Sequence, residues 1–471
     1  MKRLVLALIA LFLPVCAMAQ PLRLEDVLES SARHSPAIVE AINREESAEG
    51  RRLSASGAFD TVFDIKAQTR LFGYYDGSTV DGMVTRPLTG NGGNVYAGYR
   101  VSTGDFPSYY GGNYTNRLGE ARVGTVFSLM RDRLVDERRT KLSLAARDVE
   151  LARLDRDLIA IGVQRRAIVA YQQWVAAGLR VRIYSDLLAL ATERQASISR
   201  QIQLGARPAI LGTENEQNIV RRRSMLVRAE QDLDAAAIEL SFYLRDDAGE
   251  PLVPGRDRLP ADLPELRLPD FGDGLDKNTV RGFSRPELDT ILVRLEKTRD
   301  QQRLAENDYG PRLDLQAEVS KDLGPIGVGG VSRDPAEGYV GLRFTLPLER
   351  RQARGRIDEA RAEADALEAR RRMLEDQILL EVNGLAVQVA AAERLVALAG
   401  DETRLADSMA EAERRRFALG ASDFLVVNLR EESAADARLR QIDAEYRRSA
   451  ARAELIAATV DRVQLGLLQD N

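Results

Sequence analysis

The residues able to do covalent or redox chemistry are few. One histidine and one cysteine occur in 471 residues. His34 precedes Ser35-Pro36 at a predicted helix start, where a cap or surface role fits better than catalysis. Cys16 is lost if the chain is cleaved after Ala19, which leaves no thiol, no disulfide framework and no soft metal site. Carboxylates are plentiful, but pairs such as Glu45-Glu46 and Glu431-Glu432 fall in helical patterns and read as solvated faces. Gly90-Asn91-Gly92-Gly93 precedes neither a helix nor a Lys-Ser/Thr pair, so it does not read as a phosphate loop. With no nucleophile and base, no ligand cluster and no cofactor cradle, the chain reads as a non-enzyme without cofactor or metal.

Where the chain goes is better marked. Lys2-Arg3, an apolar run from Leu4 to Val15 and Ala17-Met18-Ala19 are the three parts of a secretory signal peptide over residues 1–19. Lipidation at Cys16 is the rival reading, and Pro14 and Val15 stand where such a motif has small residues. No later stretch approaches the roughly 18 apolar residues that span a bilayer as a helix, so a membrane location would require strands. Without Lys2 and Arg3 there are 65 basic against 72 acidic residues, a net charge of −7, and no basic stripe for nucleic acid. The runs Arg221-Arg222-Arg223, Arg370-Arg371-Arg372 and Arg414-Arg415-Arg416 lie in helical patterns and read as solvated faces.

The elements are laid out twice. Residues 36 to 68 recur 250 positions later without a gap, Pro36 falling on Pro286 and Phe63-Asp64-Ile65 on Leu313-Asp314-Leu315. Val123-Gly124 through Leu129 returns 217 later as Val340-Gly341 through Leu346, and Leu204-Gly205-Ala206 returns 215 later as Leu419-Gly420-Ala421. The first copy carries about 33 extra residues between its two blocks. A duplicated unit of helix, strand, loop, strand, long helix, tight turn and long helix follows.

The expected first repeat is 20–245, with strands over about 58–130 and a hairpin tip near 204–208. The second is 285–465, with strands over about 311–348 and a tip near 418–424. A Pro/Gly-rich linker, 246–284, separates them, and 466–471 form a tail. Two proline-free stretches, from Arg131 to Gln203 and from Arg350 to Phe417, carry apolar residues at coiled-coil spacing. At 1.5 Å per residue each makes a rod of roughly 100 Å, which needs neighbouring helices along its length. Glycine at each tip supplies a left-handed C-cap.

Four strands alternate cleanly. Phe63 and Ile65, Leu313 and Leu315, Phe127 and Leu129, and Phe344 and Leu346 fall on apolar faces opposite polar ones. Such strands fit a water-facing antiparallel sheet or a transmembrane barrel. Tyr74, Tyr75, Tyr96, Tyr99, Tyr109, Tyr110 and Tyr114 crowd the first pair as an interfacial girdle would. Four strands cannot close a barrel, and open edges are not tolerated in lipid; three copies would give twelve strands. The segment between Gly73 and Arg117 reads either as a large loop or as an additional hairpin.

The order and duplication of these features resemble the TolC-type outer membrane efflux protein family, across nearly all of the chain after residue 19. The resemblance implies a mainly α fold with β: a homotrimer whose long coiled-coil hairpins form an α-barrel in the periplasm and whose strands form a twelve-stranded barrel in outer membrane lipid. It implies a passive channel of a tripartite efflux or type I secretion system in a Gram-negative bacterium. Leu204, Gly205, Ala206, Leu419, Gly420 and Ala421 match the family's small-residue tips, which meet a periplasmic membrane fusion (adaptor) protein serving an inner-membrane transporter of RND, ABC or MFS type. The family's acidic constriction falls on Val426 and Leu429 here, so Asp423, Phe424, Leu425 and Val426 are the candidate constriction instead. The alternative is a periplasmic coiled-coil scaffold or adaptor without a pore, which gives no reason for the strands or for duplicating the whole unit.

Overall fold

The computed structural model describes residues 20–268, 282–283, 285–327 and 334–467. The leader with Cys16, part of the linker and the last four residues lie outside these. The chain divides into two compact units. One holds described residues up to Val39, Ile159–Phe283 and those from Ile378 on; the other holds Glu40–Leu158 and Ser284–Gln377.

The first unit is helical. Helix α1 is Leu24–His34. Pro36 opens α2 (Pro36–Ser56), and the residue before a proline is pushed out of the helical region. Ser35 accordingly sits at φ −64°, ψ 122° and separates the two helices. Helix α3 runs from Glu137 to Gln203 and α4 from Ile210 to Leu240. In its middle section α3 is covered on several sides, and Ile168, Tyr171, Trp174 and Val175 lie in one core with Leu240, Ile456 and Leu465. Helix α1 is pinned to α3 by polar contacts: Gln164 donates to the Leu28 carbonyl at 2.9 Å, and the Tyr171 hydroxyl donates to the Leu22 carbonyl at 2.6 Å. Replacing Trp174 by alanine would cost about 3–5 kcal/mol by the usual cavity penalty.

The second repeat contributes α5 (Pro286–Tyr309), α6 (Arg351–Ala418) and α7 (Phe424–Ala458). Pro286 stands at the first turn of α5 as Pro36 does in α2, where its missing N–H costs nothing. In α6, Ile378, Val382, Val389 and Ala392 of the predicted seam are buried. A second stripe, Leu380, Val387, Leu398 and Leu405, is exposed. At 100° per residue the two stripes lie about 175° apart, on opposite sides of the helix. This explains a departure from the sequence reading: α6 holds an 18-residue window apolar enough, by length and composition alone, to cross a membrane. Two seams on one helix produce the same composition.

The second unit holds a six-stranded antiparallel sheet in the order β1 to β6. Its strands are β1 Val62–Thr69, β2 Ser78–Pro87, β3 Asn94–Thr103, β4 Glu120–Ser128, β5 Arg312–Asp322 and β6 Glu337–Thr345. The four expected strands are β1, β4, β5 and β6; β2 and β3 form a hairpin inserted between the first two. The segment after Gly73 is therefore the additional hairpin, and six strands rather than four belong to each chain. Gly90-Asn91-Gly92-Gly93 makes its turn. Asn91 accepts from the Gly93 and Ser128 amides at 2.9 Å each and donates to the Ser128 carbonyl at 2.8 Å. A Cβ on Gly93 would lie 1.8 Å from the Val126 carbonyl oxygen, so only glycine fits.

Each strand-to-helix reversal contains a residue in left-handed conformation, Asp132 (φ 67°) after β4 and Arg350 (φ 52°) after β6. The end of α5 braces both. Asn307 accepts from the Asp132 amide at 3.0 Å and donates to its carboxylate at 3.1 Å. Asp308 pairs with Arg131 at 2.7 Å and Arg356 at 3.4 Å, and the Arg350 guanidinium lies 4.9 Å from the Tyr309 ring centre.

Candidate functional site

Strand pairing sorts the sheet into two faces. Residues directly opposite in an antiparallel pair share a face. One row runs Phe63, Val84, Ala97, Val123, Val319, Gly338 across all six strands. Together with Ile65, Val80, Tyr99, Phe127, Leu315, Leu342 and Phe344 it makes a continuous apolar face that includes the inserted hairpin. That face is open: Phe63 is 64% exposed and Leu342 66%. Leu313 shares the face, half-buried; Leu129 and Leu346 lie one residue past their strands. An apolar surface of this extent is not left in water; it is covered by lipid or by a partner.

The opposite face is polar and internally paired. Arg122 bonds Asp81 at 2.5 Å, Arg100 bonds Glu120 at 2.6 Å and Arg312 bonds Asp314 at 2.7 Å. Tyr96 also belongs here, donating to Glu318, and so leaves the proposed girdle. Tyr114 is likewise turned inward, its hydroxyl donating to the Phe106 carbonyl at 3.0 Å. Phe72, Tyr74 and Tyr109 are fully or largely exposed at the loop end of the sheet, while Phe63, Phe127 and Phe344 are exposed at the helix end. The side chain of Tyr110 is outside the described set. Nine residue steps separate Phe63 from Phe72, which lies three residues past β1, so the two are at most about 30 Å apart along the chain and about 21–25 Å along the normal of a barrel tilted 35–45°, within reach of the apolar band of membrane barrels.

The two tips close identically. Gly205 (φ 73°) and Gly420 (φ 74°) hold the left-handed position. The amides of Gly205 and Ala206 bond the carbonyls of Ile202 and Gln201 at 2.9 Å each; those of Gly420 and Ala421 bond Phe417 and Arg416 at 3.0 and 2.8 Å. Both are Schellman closures. Leu204 and Leu419 are exposed beside them. Of the candidate constriction residues, Asp423, Leu425 and Val426 are exposed, as is Leu429. Phe424 differs from them: it is buried, its ring centre 6.4 Å from that of Phe417, with the Arg194 guanidinium 5.9 Å from it.

Behind each tip lies a group that the sequence reading missed. Arg222 (1% exposed) and Glu431 (3%) are buried, not solvated. Glu431 accepts from Arg222 at 3.2 Å and from Arg194; Arg222 also donates to the Leu187 carbonyl at 2.8 Å, and Arg194 to Asn428 at 2.8 Å. Burial draws the Arg222 guanidinium below its ordinary pKa, and Glu431 opposes this. The signal was present in the spacing: Asn215, Arg222, Ala229 and Ala236 are all buried and recur every seven residues, so Arg222 occupies a core position of α4. His34 sits in the last turn of α1, remote from any of these features in sequence.

Residues 284–459 match the Outer membrane efflux protein family. No curated protein sequence matches the chain. Among solved structures, the CmeC outer membrane channel of Campylobacter jejuni is similar, with a TM-score of 0.64 at 14% identity over 95% of this chain and 87% of that one. The MtrE outer membrane channel of Neisseria gonorrhoeae gives 0.64 at 15% over 95% and 90%, and the outer membrane protein VceC of Vibrio cholerae 0.61 at 14% over 93% and 95%. At these identities the likeness speaks for the fold. Residues 284–459 thus match an outer membrane efflux protein domain, and the whole chain shares the fold of these outer membrane channels.

Proposed function

We propose that the chain is the outer membrane channel of a tripartite efflux or type I secretion system, a passive conduit and not an enzyme. One observation carries this: a sheet with a continuous, exposed apolar face, a paired polar face and two open edges, β1 and β6. In lipid such edges must be closed by further copies. Closure with the polar face inward makes a water-filled lumen, and a homotrimer is the assembly of the family. The second apolar stripe on α6 supports the same reading, since a helix in a closed ring needs a neighbour on each side.

The exposed tips at Leu204-Gly205-Ala206 and Leu419-Gly420-Ala421 dock a periplasmic adaptor, which couples the conduit to an inner-membrane transporter. Asp423, Leu425, Val426 and Leu429 supply the constriction. Membrane fractionation tests the location: the protein should resist high salt and carbonate and be released by detergent as a trimer that conducts in planar bilayers. Release by carbonate alone would refute a membrane-spanning channel.

A further inference from the structure

The six strands of each chain have a consequence for the pore. Resting on the trimeric channel reading above, we propose that three copies close an eighteen-stranded barrel, with β1 of one copy pairing antiparallel to β6 of the next in the register that sets Phe63 opposite Phe344. The inserted hairpin is part of the wall rather than a loop over it. Its exposed Val80, Val84 and Val95 stand on the same face as Phe63 and Phe344, and its Asp81 and Arg100 join the polar network of the other face.

Three features select this register. The first is the stagger of strand ends. The row through Val62, the first residue of β1, crosses the sheet to Tyr339, six residues short of the helix-side end of β6 at Thr345. Bringing the ends level places Val62 opposite Thr345, and hence Phe63 opposite Phe344. One residue of shift per strand corresponds to a tilt of about 35°, within the range of membrane barrels. The second is the face: an even shift keeps Phe63, Ile65 and Ala67 beside Phe344, Leu342 and Val340. The third is charge. Asp64 then faces Arg343, and among the described residues neither has an ion pair within its own chain. The next even register would oppose Lys66 to Arg343.

Eighteen strands tilted at about 35° give a backbone radius of about 17 Å, against about 11 Å for twelve. The mouth area is therefore about twofold larger, suited to bulkier cargo. Spin labels on Val123→Cys, an exposed position on the apolar face of β4, read the count directly in the detergent-extracted trimer of a Cys16→Ala chain. Equivalent Cα positions should lie about 29 Å apart for eighteen strands and about 20 Å for twelve. Oxidation of Ala67→Cys with Val340→Cys should link copies into covalent trimers. Asp64→Arg should weaken the trimer to heat, and Arg343→Asp added to it should restore the loss. A stable, conducting trimer with the shorter spacing and no seam cross-link would overturn the eighteen-stranded wall while leaving the channel intact. A protein that never leaves the membrane fraction as a trimer would remove both.

Discussion

Deleting the Glu431 carboxylate should loosen the hairpin ends far more than any neighbouring change. Glu431 serves two guanidinium groups at once, lying eleven residues past Gly420 as Arg194 lies eleven before Gly205. In Glu431→Ala, Arg222 keeps only the Leu187 carbonyl at 2.8 Å and stays buried with an uncompensated charge. Removing one partner of such a pair costs about 3–5 kcal/mol. Arg194, still bonded to Asn428, contributes the smaller share. Even about 3 kcal/mol raises the population of locally opened hairpin roughly 150-fold. Native-state amide exchange on the intact trimer, read in peptides around Leu187, Arg222 and Asn428, should accelerate accordingly. Replacing the pair by apolar groups, Arg222→Met with Glu431→Leu, should recover most of the protection, because a buried ion pair is close to neutral against a hydrophobic isostere. Exchange within about threefold of the parent in Glu431→Ala, or a double variant no better than the single, would refute the reasoning.

Gly205 and Gly420 have open space where a side chain would go, so substitution there costs only left-handed strain, about 1–2 kcal/mol each. Bulky residues at both should leave trimers on a non-denaturing gel and abolish export; full export would count against adaptor docking at the tips. Leu380→Asp with Val387→Asp places charge on the exposed stripe of α6 and should leave helix content unchanged while reducing trimer yield in detergent; an unchanged yield would place the subunit contact elsewhere. The Asp289 carboxyl is raised above the ordinary range by burial first and then by Glu150 and Glu287, so the folded chain holds its proton more tightly than the unfolded one. Its contribution is present below the unfolded pKa, about 3.9, and is lost as pH rises through the folded value. Asp289→Asn should therefore melt above the parent near pH 7, with the gap closing by about pH 3.5; a gap of equal size at both would show another cause.

Much of this architecture was legible because it rests on local chemistry that occurs twice. Pro36 and Pro286 start helices for the same steric reason, and Gly205 and Gly420 end them with the same pair of bonds. The inserted hairpin was legible only as one of two alternatives, a large loop or an additional hairpin. Gly82 and Gly98 interrupt its alternation, Tyr96 stands on the polar side, and the glycines of its turn have the composition of an outer loop. Nothing in the sequence says that Gly93 is required by the approach of the Val126 carbonyl, since that contact joins strands whose pairing had to be known first. Arg222 and Glu431 were misread because side chains of their type usually face water; only the heptad register of α4 and the depth of the bundle around it say otherwise.

Asn307, Asp308 and Tyr309 are consecutive, and between them they hold the turn at Asp132, its neighbour Arg131 and the turn at Arg350. The roots of α3 and α6 are therefore harnessed to a single yoke at the end of α5. Neither root can swing on its own turn without dragging the same three residues, so within this unit the two copies of the repeat are ganged and bend as one lever.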